Sequence, residues 1–170
     1  MGTSRRIKIQ IPDTHLRAIG LIAITWSQLE NAIERIIWRV GNLDDNRGQA
    51  ITTHMSMKAR LDAACAITLL EFPTSSGLMA LQGLRKKING SLANKRNKAI
   101  HNRMFRGLDP DIPVRADRTA RGELKIELKA LRPGELEKIA DQLNESVVEA
   151  RDIISALYPL IQNRNATRLP

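Results

Sequence analysis

Between Asp13 and Val40 the chain repeats apolar residues at alternating steps of three and four: Ile19, Ile22, Trp26, Leu29, Ile33, Ile36 and Val40. That spacing puts them on one stripe of an α-helix and predicts a single long helix with a bundle seam. Asp13 is the expected N-cap, and Gly41 the stop signal. Such a helix reaches roughly 40 Å, more than one compact domain of this size needs for its own core. A second seam runs through Leu136, Ala140, Leu143, Val147, Ala150, Ile154, Leu157 and Ile161. It predicts a last helix opened by Pro133 and Gly134, with a polar, frayed tail from Asn163.

Between the two seams the pattern shortens. After the loop Asn42-Leu43-Asp44-Asp45 a short helix is expected around 46–54, and Ser56 caps a third helix through about Leu70. The cluster Phe72-Pro73-Thr74-Ser75-Ser76-Gly77 is a turn. A further helix follows over about 78–105, with Gly83 and Gly90 as places for a kink or a close helix contact. Pro110 and Pro113 forbid its continuation. The runs Ile112–Asp117 and Leu124–Lys129 bracket a Thr-Ala-Arg-Gly turn, and the second alternates apolar with charged residues, which predicts a β-hairpin packed on the helices. The expected fold is therefore an all-α antiparallel helical bundle with one small β-hairpin at about 112–130, before the last helix. A basic arm over 1–12 precedes a single helical domain over 13–162, and a flexible tail covers 163–170. Two unbroken seams of this length predict a homodimer.

Within the helix over 78–105 one feature breaks the pattern. The row Leu92, Arg96, Ile100, Met104 and the row Ala93, Asn97, His101, Phe105 are apolar except for Arg96, Asn97 and His101. Residues four apart lie along one line of a helix, so these three groups cluster on its inward side. Polar groups there cost free energy unless something satisfies them, which makes the cluster a candidate site.

Charge sharpens the picture. The 170 residues carry a formal net charge of +9. From Phe72 to Leu108 there is no Asp or Glu, while Arg85, Lys86, Lys87, Lys95, Arg96, Lys98, Arg103 and Arg106 all fall there. The last helix is acidic instead, with Glu135, Glu137, Asp141, Glu145, Glu149 and Asp152. Two readings follow: an anionic partner such as a phosphate backbone, or a basic face that pairs with the acidic helix of its own or a second chain. No apolar run approaches the roughly 18 residues of a membrane span, and the start lacks the apolar core of a secretory signal, so a cytoplasmic protein without membrane contact is expected. Cys65 lies in the apolar stretch LDAACAITLL and reads as core packing. His15, His54 and His101 lie on separate segments without metal-ligand spacing, so no metal and no cofactor is expected. Phosphate loops, motif-set carboxylate pairs and Ser-His-Asp spacings do not occur.

Arginine and histidine suffice for one reaction. In RNA the 2′-hydroxyl can attack the adjacent phosphorus to leave a 2′,3′-cyclic phosphate and a free 5′-hydroxyl. Imidazole moves protons near neutral pH, and guanidinium forks match phosphate oxygens. Asn97, four residues before His101, has the reach to orient the ring or a phosphate. A single histidine is a poor base and acid in the same step, and two copies across a dimer axis would supply both.

An Arg followed by a polar residue, three more residues and a His, on a helix of a small α-bundle, resembles the HEPN superfamily. The first-helix stretch TWSQLENAI is similar to the family's aromatic-then-Leu-Glu pattern, and RNKAIH followed by a hairpin with ARGELKI and an amphipathic last helix extends the likeness over roughly residues 14–160. The resemblance implies a metal-independent endoribonuclease that works as a homodimer on RNA. Arg96 and His101 would be the catalytic pair, Asn97 the polar residue after the Arg, and Glu30 the partner of Arg96. Lys95, Lys98, Asn102, Arg103 and Arg106 would form the RNA-binding face. Many relatives carry Gly directly after the His, where this chain has Asn102.

Each residue has a plainer role available. His101 would serve as a satisfied core histidine, Arg96 as half of a structural ion pair, and Glu30 as an exposed group beside Glu34 and Arg35. Trp26 and Trp38 read as core or interface, because an aromatic content of 3% leaves little for base stacking. A non-catalytic module of a toxin–antitoxin pair, with a protein antitoxin as partner, and a DNA-binding regulator with the hairpin as a wing are the other two functional classes.

Overall fold

The computed structural model describes residues 11–121 and 123–167. Most of the basic arm over 1–12, Gly122 of the hairpin turn and the last three residues lie outside them. The described chain folds as α1 (Asp13–Val40), α2 (Asp45–Thr52), α3 (Met57–Glu71), α4 (Ser76–Lys87), a π-helical turn (Ile88–Leu92), α5 (Ala93–His101), β1 (Arg103–Phe105), β2 (Val114–Arg121), β3 (Glu123–Ala130) and α6 (Pro133–Thr167).

Both seams are buried. Ile22, Trp26, Leu29, Ile33, Ile36 and Val40 of α1 and Leu136, Leu143, Val147, Ala150, Leu157 and Ile161 of α6 belong to one core with Leu61, Ala64 and Cys65 of α3 and Leu81 and Leu84 of α4. The two seams face each other within one chain, so they do not by themselves call for a second copy. Their direction corrects the expected antiparallel arrangement. The His15 Nε2 bond to the Leu131 carbonyl (2.8 Å) joins the starts of α1 and α6, while Arg164 Nη1 donates to the Val40 carbonyl (2.6 Å) where both end. The two helices therefore run parallel. The antiparallel partner of α6 is the α4–α5 arm: Gly77 lies against Leu157, Lys87 Nζ donates to Glu149 (2.7 Å), and Lys95 Nζ reaches Gln142 (3.2 Å).

The helix starts show which signals counted. Ser56 accepts from the Ala59 amide, Asp44 from Arg47 and Ser75 from Leu78, each closing a first turn. Asp13 does not cap. Pro12 holds that position, and Asp13 sits in the first turn, where its charge suits the helix dipole. Gly41 ends α1 with an ordinary negative φ; a Cβ there would meet the Ile37 carbonyl and the Ile67 side chain, each at 2.8 Å, so the glycine serves close approach. The left-handed residue is Asn42, at φ 53°.

Three expectations need correction. The helix expected over 78–105 starts at Ser76, widens into a π-turn around Gly90, and already ends at His101. Met104 and Phe105 leave it as β1, which pairs antiparallel with β2 (Met104 opposite Arg115) and makes the hairpin a three-stranded sheet in the order β1-β2-β3. The hairpin does not lie on the helices. All eight residues of β3 are exposed, and the sheet joins the bundle through Leu131, Ala116 and Asp117. Last, no tail begins at Asn163. The helix runs on to Thr167 because Arg164 is clamped by the Arg39 and Val40 carbonyls, by Glu71 (2.9 Å) and by the Phe72 ring.

Candidate nucleic-acid cleft

The π-turn sets the rotation of α5. Its Ala99 is buried, Ile100 and Ala93 pack against the core edge, and Arg96 is half-buried beside them. Asn97 and His101 are exposed, so they stand one row outside the buried face rather than on it. That corrects the expected inward cluster: small Ala99, on a row read as polar, supplies the contact.

The three side chains nonetheless meet. The Arg96 guanidinium lies over the Trp26 ring, 5.1 Å from its centroid. Its Nη1 donates to Asn97 Oδ1 (3.1 Å) and to His101 Nε2 (3.2 Å). Guanidinium has no acceptor, so within this hydrogen bond Nε2 is the accepting atom. Indole beneath and two polar partners at the tip hold the guanidinium in place. Its Nε–H is buried without a partner among the described residues, a cost of about 1–3 kcal/mol.

Beside this triad opens a cleft of about 540 Å³ lined by Asn94, Asn97, Lys98, His101, Asn102, Arg118, Glu123 and Lys125. The helix end supplies one wall and the hairpin the other. Asp117 of β2 ties the walls together. Its Oδ1 accepts from Asn102 Nδ2 (2.8 Å) and Arg115 Nε (2.7 Å), and its Oδ2 from Lys98 Nζ (3.2 Å) and Arg115 Nη2 (3.2 Å). Burial pushes this carboxyl up, but the bonds from Arg115, Asn102 and Lys98 outweigh it and hold the group down at about 2. Two of the expected RNA-binding residues, Lys98 and Asn102, are thus engaged with a carboxylate and shape the cleft more than they charge it.

The other expected residues divide. Lys95 is exposed and bonds Gln142, while Arg103 and Arg106 are exposed but do not line the cleft. Part of the basic segment is matched within the chain, since Lys87 pairs with Glu145 and Glu149 and Arg85 with Asp62. Glu30 does not hold Arg96. It pairs with Arg60 Nη1 (3.1 Å), whose Nη2 holds Glu34 (3.0 Å). Glu30 and Glu34 are one turn apart on the side of α1 that α3 covers, so the nearly buried Arg60 of α3 is their shared counter-ion. Arg60, Asp117, Glu123 and Lys125 had no signal in the six-residue motif. Lys125 was visible only as part of the alternating run Leu124–Lys129, and Glu123 lies one residue outside it.

His15 is fully buried on the Leu131 carbonyl and His54 is exposed, so neither joins the cleft. Among the described residues no group of His, Cys, Asp or Glu could hold a metal ion, and no helix is long and apolar enough to cross a membrane. Comparison with protein-family models, with curated proteins and with solved structures finds no match.

Proposed function

We propose that this chain is a metal-independent endoribonuclease of the HEPN type that cleaves RNA by transphosphorylation. The observation that carries the reading is the direct contact between Arg96 and His101, the imidazole that lines the cleft, with Nε2 accepting from the guanidinium. A phosphate entering the cleft competes with that nitrogen for the guanidinium and releases it to take the 2′-hydroxyl proton. The 2′-oxygen bonds to phosphorus, the P–O5′ bond breaks, and Arg96 stabilises the charge on the non-bridging oxygens. The departing 5′-oxygen needs a proton from a second group. His101 is the sole imidazole lining the cleft, so a second copy's imidazolium, in a homodimer, fills that role.

RNA incubated with the protein in EDTA is expected to yield 2′,3′-cyclic phosphate and 5′-hydroxyl ends. His101→Ala should abolish the cleavage and leave the melting curve unchanged, because the side chain is exposed and lies outside the core. Retention of RNA or duplex DNA without cleavage would replace this reading by a binding module or regulator, and cleavage that survives His101→Ala would exclude the proposed base.

A further inference from the structure

Among the described residues strand β3 is an edge of the sheet, paired on one side only, and charge is its one guard against further pairing. It holds no Pro, pairs with β2 over all eight residues without a bulge, and is exposed along its whole length. One face carries Leu124, Ile126 and Leu128, exposed by 68%, 54% and 66%. The other carries Glu123, Lys125, Glu127 and Lys129 in alternating sign. A free edge of this kind can accept another strand, and its charge order selects which one.

We propose that β3 pairs antiparallel with β3 of a second copy about a two-fold axis at Ile126, so that the two sheets join. In that register Ile126 faces Ile126 of the second copy and Leu124 faces Leu128. Lys125 then faces Glu127, and Glu123 faces Lys129. Every facing pair is either apolar or of opposite charge. Moving the axis to Lys125 sets Lys125 against itself and Glu123 against Glu127. Moving it to Glu127 sets Glu127 against itself and Lys125 against Lys129. A shift of one residue in pairing turns the apolar row of one copy to the opposite face of the other. Parallel in-register pairing stacks like on like. One register among these satisfies both faces over the whole strand.

Within one copy Glu123 bonds Lys125 (2.6 Å) and Glu127 bonds Lys129 (3.1 Å). These exposed pairs contribute little by themselves, and cross-strand pairing extends them into a ladder. The contact is small, so the association is of the weak class, with a dissociation constant in the micromolar range or above. It does not depend on the ribonuclease reading. Glu123 and Lys125 also line the His101 cleft, so a pairing here would bring walls of both clefts toward the axis.

Site-directed cross-linking on the full chain tests the register, with Cys65 buried and out of reach. Under mild oxidation Ile126→Cys is expected to give a covalent dimer. Leu124→Cys alone and Leu128→Cys alone should give little, whereas the two variants mixed should cross-link to each other. In sedimentation velocity Glu127→Lys should weaken association by about tenfold, since it sets two like-charge pairs in each dimer. Adding Lys125→Glu to it should restore the wild-type value. Equal cross-linking at all three positions, a dimer that Ile126→Cys does not trap, or a monomer up to millimolar protein would each overturn the proposal. Circular dichroism of each variant confirms that the fold is kept, and these exposed positions leave the core untouched.

Discussion

Replacing Asp117 by Asn removes one charge and almost no volume from the hinge between α5 and the sheet. The native carboxyl sits at about 2 against an ordinary 3.8, because the hydrogen bonds from Arg115, Asn102 and Lys98 outweigh its burial. A difference of that size corresponds to about 2 kcal/mol favouring the folded state. Its folded value is the depressed one, so the contribution is complete above about pH 4 and disappears as the pH falls through about 2. The side chain is only 7% exposed, so solvent screening takes little from this figure. Asp117→Asn should therefore be about 2 kcal/mol less stable than wild type near neutrality, and the gap should close between about pH 4 and about pH 2. Urea denaturation followed by circular dichroism reads the whole chain, and native-state hydrogen exchange of the β2 amides reads the sheet if it opens first. A gap that stays constant across this window, in both measurements, would refute the account of Asp117 as an ionised tie between the walls of the cleft.

Arg60→Ala should lower stability by about 3 kcal/mol, because it leaves Glu34, with a side chain only 14% exposed, and Glu30 without their counter-ion. Glu30→Gln should leave RNA cleavage near the wild-type rate, since the bond it loses is to Arg60 and not to Arg96; a collapse of activity with the fold intact would restore Glu30 to the site. Arg164→Ala should cost about 2 kcal/mol by stripping the Val40 carbonyl and Glu71 of a shared donor, a drop of several degrees in the thermal midpoint read by calorimetry.

The long apolar stripes of α1 and α6 could be read from the chain because a period near 3.6 survives over many turns, and burial follows that period. The caps at Ser56 and Asp44 are equally local, since a side-chain oxygen two or three residues before an amide needs no distant partner. Whether α1 and α6 run parallel was not legible, for nothing in either stripe encodes direction; His15 and Arg164 fix it through contacts across more than a hundred positions. The same holds for the cleft. Arg96, Asn97 and His101 are neighbours on one helix and could be grouped in advance. Asp117, Glu123 and Lys125 reach them only through the register of a sheet whose first strand, Arg103–Phe105, looked like the end of a helix. Glu30 was assigned to the wrong arginine because two carboxylates one turn apart do not say which neighbouring helix will answer them.

The widened turn at Ile88–Leu92 acts as a phase shifter between two stretches of one arm. Tightening it to ordinary α geometry with every residue kept would turn everything downstream by about 100° relative to α4. Ala99 would then swing off the core, the Arg96 guanidinium would leave the indole of Trp26, and the imidazole would face a different quadrant of solvent. The aim of the basic cleft is thus set by a single surplus residue some six positions upstream of Arg96, in a segment that carries no charge of its own.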